Sequence, residues 1–91
     1  MNVFTLPSFD RAFKKLPSQD QAQVREAATQ LPAAFGKPHV HAGLGLRGVG
    51  PFLEFRAGLK LRVLFRVNRG DAVLVTVGDH NDIRRYVKEN G

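Results

Sequence analysis

Residues 52–77 read F-L-E-F-R-A-G-L-K-L-R-V-L-F-R-V-N-R-G-D-A-V-L-V-T-V, and this stretch decides the fold. Phe52 to Ala57 predicts a short strand, Gly58 a turn, and Leu59 to Val67 a second strand with clean alternation. Leu59, Leu61, Val63, Phe65 and Val67 share one parity, while Lys60, Arg62, Leu64 and Arg66 share the other. A period of two sends the first set against a hydrophobic layer and the second onto an open face. Asn68 to Asp71 (N-R-G-D) is a turn. Ala72 to Val77 is apolar on both parities, as a central strand requires. Three consecutive strands with short turns make an antiparallel β-meander.

Upstream, Asn2 to Leu6 (N-V-F-T-L) alternates and predicts a first strand, which Pro7-Ser8 ends. Phe9, Ala12, Phe13 and Leu16 then fall at helical spacing, with Pro17 closing that helix. Ser18 to Gln21 has the capping-box pattern, and Val24, Ala27, Ala28 and Leu31 line one face of a second helix. Pro32 sets its predicted C-terminal boundary. Downstream, Gly78 to Asp82 breaks the last strand, and Ile83 to Asn90 predicts a short terminal helix. The expected order is β-α-α-β-β-β with a C-terminal helix. The expected architecture is one α+β domain over residues 1–91, an N-terminal strand and helical hairpin packed on the meander.

Ninety-one residues suffice for one thin core, not for a cofactor domain plus a substrate domain. The chain has no cysteine, which excludes disulfides, thiolate metal sites and a thiol nucleophile, and suits a reducing cytoplasm. No uninterrupted apolar run opens the chain, so neither a signal peptide nor a membrane span is expected. Net charge is +6, and residues 44–70 carry Arg47, Arg56, Lys60, Arg62, Arg66 and Arg69 against Glu54 alone. Most of the excess therefore sits on the meander. Clustered arginines favour an anionic partner, RNA above all, over a mere aid to solubility.

Two motifs invite sharper readings and fall short. Gly43-Leu44-Gly45-Leu46-Arg47-Gly48 is a literal G-x-G-x-x-G, but no strand precedes it and a strand, not a helix, follows. A dinucleotide fingerprint needs the reverse, so these glycines predict tight turns, with room for close backbone approach to a phosphate. His39 and His41 stand two apart without a neighbouring carboxylate or cysteine, which is too little for a metal site. No metal or other cofactor is expected. His41 is the better candidate for contact with RNA or a protein partner.

Taken together, "L-E-F-R-A-G", "L-R-V-L-F-R-V", "V-L-V-T-V-G-D-H" and a terminal R-R-Y resemble the RelE/ParE superfamily of bacterial toxin–antitoxin toxins. The resemblance covers nearly the whole chain in element order and is specific over the last forty residues. It implies a small basic cytoplasmic protein neutralised by a cognate antitoxin that wraps it. Its RelE-like branch implies metal-independent cleavage of messenger RNA on the ribosome, which inhibits translation. Its ParE branch implies inhibition of DNA gyrase without RNase chemistry, and a degenerate member would only bind a partner.

Under the RelE-like branch, Arg62 matches the third-strand arginine and is expected to stabilise the phosphorane, with Arg56 assisting. His80 stands where family members carry histidine or arginine, and is expected to transfer protons. Tyr86, the one tyrosine in the chain, stands six residues further on as a stacking or proton-transfer partner. Lys60, Arg66 and Arg47 are expected to hold flanking phosphates. Family lysines at the strand hairpin are represented only by Lys60, and Phe65 replaces a frequent tyrosine. Glu54 shares the parity of Arg56 and is either a second base or the charge partner that orients Arg56. Each residue also has an ordinary structural reading. Arg62 could be a solvated strand residue, His80 could help cap the last helix, and Tyr86 could pack that helix on the sheet.

Overall fold

The computed structural model describes residues 1–36 and 44–91. Its elements run β1 (Val3–Thr5), α1 (Pro7–Lys14), α2 (Ser18–Gly36), β2 (Arg47–Val49), β3 (Phe52–Ala57), β4 (Leu61–Asn68), β5 (Asp71–Gly78) and α3 (His80–Asn90). The strands form one sheet in the order β1-β5-β4-β3-β2. The meander from β2 to β5 is antiparallel throughout, and β1 adds in parallel along β5. The α+β class and the covering helical hairpin are as the sequence predicts. β2 is an addition, so four strands follow the hairpin and not three.

Parity within β3 and β4 separates two layers. Leu61, Val63 and Phe65 join Phe55, Ala57 and Leu74 in one buried cluster with Phe9, Val24, Ala27, Leu31 and Ala34 of the two N-terminal helices. Phe55 and Phe65 lie at its centre, fully buried, with ring centroids 5.7 Å apart. Burying each such ring contributes about 1.5–3 kcal/mol, which makes this layer the main source of stability. Leu64, Val75 and Ile83 form a smaller cluster on the opposite face, where α3 packs with Tyr86 and Val87. The face predicted to be open is therefore half covered.

A bulge in β5 serves both layers. Leu64 pairs with Thr76 and Phe65 with Leu74, so Val75 is an extra residue in the ladder. The insertion sends Leu74 and Val77 to the α1/α2 layer and Val75 to the α3 layer. The Val75 carbonyl accepts a hydrogen bond from the Ser8 hydroxyl at 2.5 Å, which ties α1 to the sheet at that point.

Local chemistry departs from expectation in three places. α2 runs through Pro32 to Gly36 and does not stop at it. Pro32 lacks the N–H that Ala28 would use, yet burial of Leu31 and Ala34 and the edge-on contact of Phe35 with Phe65 hold the last turn in place. Gln21 does not close a capping box with Ser18. Its side-chain amide donates to the Phe13 and Leu16 carbonyls at 3.1 and 3.2 Å, bonding the end of α1 to the start of α2. β4 begins at Leu61, leaving Leu59 fully exposed at the hairpin tip with Lys60 beside it. The Asn68–Asp71 turn forms as predicted, with Arg69 and Gly70 both at positive φ (54° and 82°), the pattern of a tight hairpin. Among the described residues, no helix is long and apolar enough to cross a membrane.

Candidate phosphate-binding cleft

The α3-side face of the sheet has a charged end that α3 leaves uncovered. Its residues are placed by register. Arg47 on β2 stands directly opposite Glu54 on β3. Arg56, one alternation further along β3, stands directly opposite Arg62 on β4. Arg62 in turn faces Gly78 on β5, where the Asp82 side chain takes the space that a Cβ would need. Arg47, Glu54, Arg56 and Arg62, with Gly45 and Leu46, line a cleft of 250 Å³.

Glu54 is the acidic residue of that cleft and is only 3% exposed. Its Oε1 accepts a hydrogen bond from Arg47 Nε at 2.6 Å and lies 3.6 Å from Arg62 Nε. The first is a charge-assisted bond; the second is an ion pair too long to be one. Arg62 is 19% exposed, and its Nε and Nη1 are buried without a hydrogen-bond partner among the described residues. A buried N–H left unbonded is costly, and three guanidinium groups against one carboxylate favour an anion in the cleft. The charge partner of Glu54 is thus Arg47 together with Arg62. It is not Arg56, as the shared parity suggested.

Two glycines of the G-x-G-x-x-G stretch lie here in different roles, and Gly43 falls outside the described residues. Gly45 sits at φ +63°, and a Cβ on it would stand 3.1 Å from the Arg56 Cγ and Cδ. It lets the backbone close over the aliphatic stem of Arg56. Gly48 belongs to β2 and is spatially unconstrained.

The remaining candidates are distributed around the cleft and do not line it. His80 is the first residue of α3 and exposed. It follows Gly78 by two residues, so β5 delivers it from beside Arg62. It is not the cap: the Asp79 carboxylate accepts the Asp82 N–H at 2.8 Å and the Asp82 carboxylate accepts the Asp79 N–H at 3.0 Å. The backbone bond from Asp82 holds the Asp79 carboxyl below its ordinary value of 3.8. Tyr86 packs edge-on to Phe52 at 5.9 Å within the α3 cluster. It shares a sheet face with Glu54 but stands over the apolar end. Arg66 is exposed on β4, separated from Arg62 by the buried Leu64. Lys60 lines a different cleft, with Asp20, Asp79 and Asp82. His41 and its neighbour His39 lie outside the described residues. Among those described, no cluster of three or more His, Asp or Glu is placed to hold a metal.

Arg62, Arg56 and Glu54 are readable as a group from the sequence, but the way Arg47 joins them is not. The signal was weak: Arg47-Gly48-Val49 is three residues long and flanked by glycines, so it reads as loop. Only its pairing with β3 makes Arg47 a wall of the cleft.

The sequence matches no family model and no curated protein. Its structure, however, resembles solved toxins. A copper-bound mutant toxin from Helicobacter pylori superposes with a TM-score of 0.72 at 18% identity, covering 91% of this chain and 98% of that one. YafQ from Escherichia coli gives 0.72 at 8% identity, covering 90% and 96%. The RelB–RelE antitoxin–toxin complex from Methanococcus jannaschii gives 0.66 at 13% identity, covering 91% and 96%. At such identities the likeness is one of fold, and it extends nearly end to end on both sides: this chain shares the fold of the RelE-type toxins.

Proposed function

We propose that this chain is the toxin of a toxin–antitoxin pair, and that it inhibits translation by cutting messenger RNA on the ribosome without a metal. One observation carries the reading. Arg62, whose Nε and Nη1 are buried without a hydrogen-bond partner among the described residues, lines a cleft with Arg47 and Arg56. A guanidinium fork suits the non-bridging oxygens of a phosphodiester. The shared fold with RelE and YafQ supports the same assignment, and the RelB–RelE complex supports an antitoxin as the natural partner.

In this mechanism the RNA 2′-hydroxyl loses its proton and its oxygen attacks the adjacent phosphorus. The bond from phosphorus to the 5′-oxygen breaks, leaving a 2′,3′-cyclic phosphate, and the departing 5′-oxygen takes up a proton. Arg62, assisted by Arg56, stabilises the negative charge that builds on the non-bridging oxygens of the phosphorane, and such preorganised charge is commonly the largest catalytic contribution. His80, exposed at the start of α3, transfers protons. Tyr86 stacks on a base or shares in proton transfer, and Arg47, Lys60, Arg66 and His41 hold flanking phosphates. The protein acts in the bacterial cytoplasm, where its substrate is.

The test is to map messenger RNA 5′ ends after induced expression. New ends within translated frames are expected, and they disappear for Arg62→Ala and His80→Ala. Intact message, or full toxicity of both variants, sinks the RNase reading. A second reading, inhibition of DNA gyrase or another protein by binding alone, is favoured by one observation: Tyr86 is engaged in packing against Phe52. Loss of supercoiling by purified gyrase, with message intact, would support it.

A further inference from the structure

The cleft contains a charge arrangement that phosphate binding alone does not explain. Arg56 and Arg62 stand directly opposite each other on adjacent strands, where like charges repel. Glu54 lies one alternation away, 3% exposed, with a single oxygen, Oε1, serving both Arg47 at 2.6 Å and Arg62 at 3.6 Å. A general base needs a free oxygen within reach of a substrate hydroxyl. Glu54 has Oε1 bonded to Arg47 and is only 3% exposed, which leaves little of its carboxylate within reach of a substrate hydroxyl.

We infer that Glu54 is a positioning residue: its buried charge holds the Arg62 guanidinium at the floor of the cleft without taking up its hydrogen-bond donors, so that the fork stays oriented for a phosphate. The inference rests on the reading of this cleft as a phosphate site. The 3.6 Å spacing is what allows both functions. At that distance the carboxylate attracts Arg62 without consuming its donors, because Arg47 occupies Oε1 as hydrogen-bond donor. Arg47 therefore keeps Glu54 from closing onto Arg62. Removing the negative charge leaves three arginines unopposed in the cleft, so anion affinity holds or rises while the geometry of Arg62 is lost.

Glu54→Gln tests this, since the amide keeps the size and can still accept from Arg47. Affinity is read by fluorescence anisotropy with an RNA oligonucleotide made uncleavable by 2′-O-methylation, and rate by single-turnover cleavage of programmed ribosomes. Glu54→Gln is expected to bind the oligonucleotide at least as tightly as wild type and to cut about 10²-fold more slowly, the loss that a misplaced group produces. A parallel loss of affinity and rate, or an undiminished rate, would overturn the inference. Hydrogen exchange at the Arg62 Nε–H, followed by NMR, reads the position of Arg62 without any cleavage. It is expected to be slow in wild type, faster in Glu54→Gln, and slowest in Arg47→Ala, where Oε1 is released to Arg62. Exchange unaltered by Glu54→Gln would overturn the inference even in a chain that cuts RNA. Exchange that responds as stated in a chain that cuts no RNA would support the inference and sink the RNase reading.

Discussion

The two faces of this sheet are built from alternate residues of the same strands and do different work. Under α1 and α2, Phe55, Ala57, Leu61, Val63 and Phe65 make a continuous apolar layer. On the other face, Phe52 and Leu64 are covered by α3, while Glu54, Arg56 and Arg62 are left to a cleft. One residue along β3 or β4 thus separates core from charge. The first face secures the fold; the second spends part of its area on groups that give little stability and stand ready for an anion.

This contrast can be broken from either side, and the effects should fall in order. Phe65→Ala, at the centre of the α1/α2 layer, should cost about 3–5 kcal/mol, read by urea unfolding, and is the change most apt to unfold the chain. A loss below 1 kcal/mol would show that this layer is not the principal core. Ile83→Ala should cost about 2 kcal/mol, at the low end for such truncations because the buried cluster it joins is small and lies under a single helix. Backbone hydrogen exchange should accelerate in α3 and remain slow in β4. Equal acceleration in both would mean that the two layers are a single cooperative unit. Arg62→Ala should change stability little and cleavage by about 10²–10³-fold, the range seen on removing one donor to a developing anion. A large stability loss without a change in rate would assign Arg62 to structure.

Acid should produce the smallest effect. The Asp79 carboxyl is held below 3.8 in the folded chain, chiefly by the Asp82 backbone N–H. A depressed folded value contributes stability above the unfolded pKa, and that contribution is lost as pH falls through the folded one. Asp79 is solvent-exposed, so α3 should fray slightly below about pH 4, and Asp79→Asn should flatten that dependence in far-UV circular dichroism. An Asp79→Asn chain with an unchanged acid profile would remove the capping box from the account.

How much of this was legible depends on the signal each element leaves. β3, β4 and β5 were readable because six to eight residues of alternation outweigh local exceptions. β2 was not, because three residues with a central glycine carry no periodic signal, and with β2 went the Arg47–Glu54 pair. The Val75 bulge was also hidden, since an apolar run reads the same in either register. Pro32 misled because proline ends helices by local rules, while Leu31 and Ala34 hold this one through tertiary burial. Leu59 and Lys60 extend the alternation of β4 in sequence, but the turn at Gly58 consumes them. Arg62 and Arg56 could be found from parity, whereas the unbonded state of the Arg62 N–H groups required the packed structure.

Everything proposed for this chain requires that the uncovered end of the α3-side face receives a phosphate. The most direct test is an NMR titration of the wild-type chain with a single-stranded RNA oligonucleotide uncleavable through 2′-O-methylation, following arginine side chains. The Nε–H signals of Arg62 and Arg56 are expected to shift first and saturate together, with Arg47 following and the amides of α1 and α2 unmoved. Shifts spread evenly over Arg66, Arg69 and the terminal helix, with Arg62 unaffected, would contradict it.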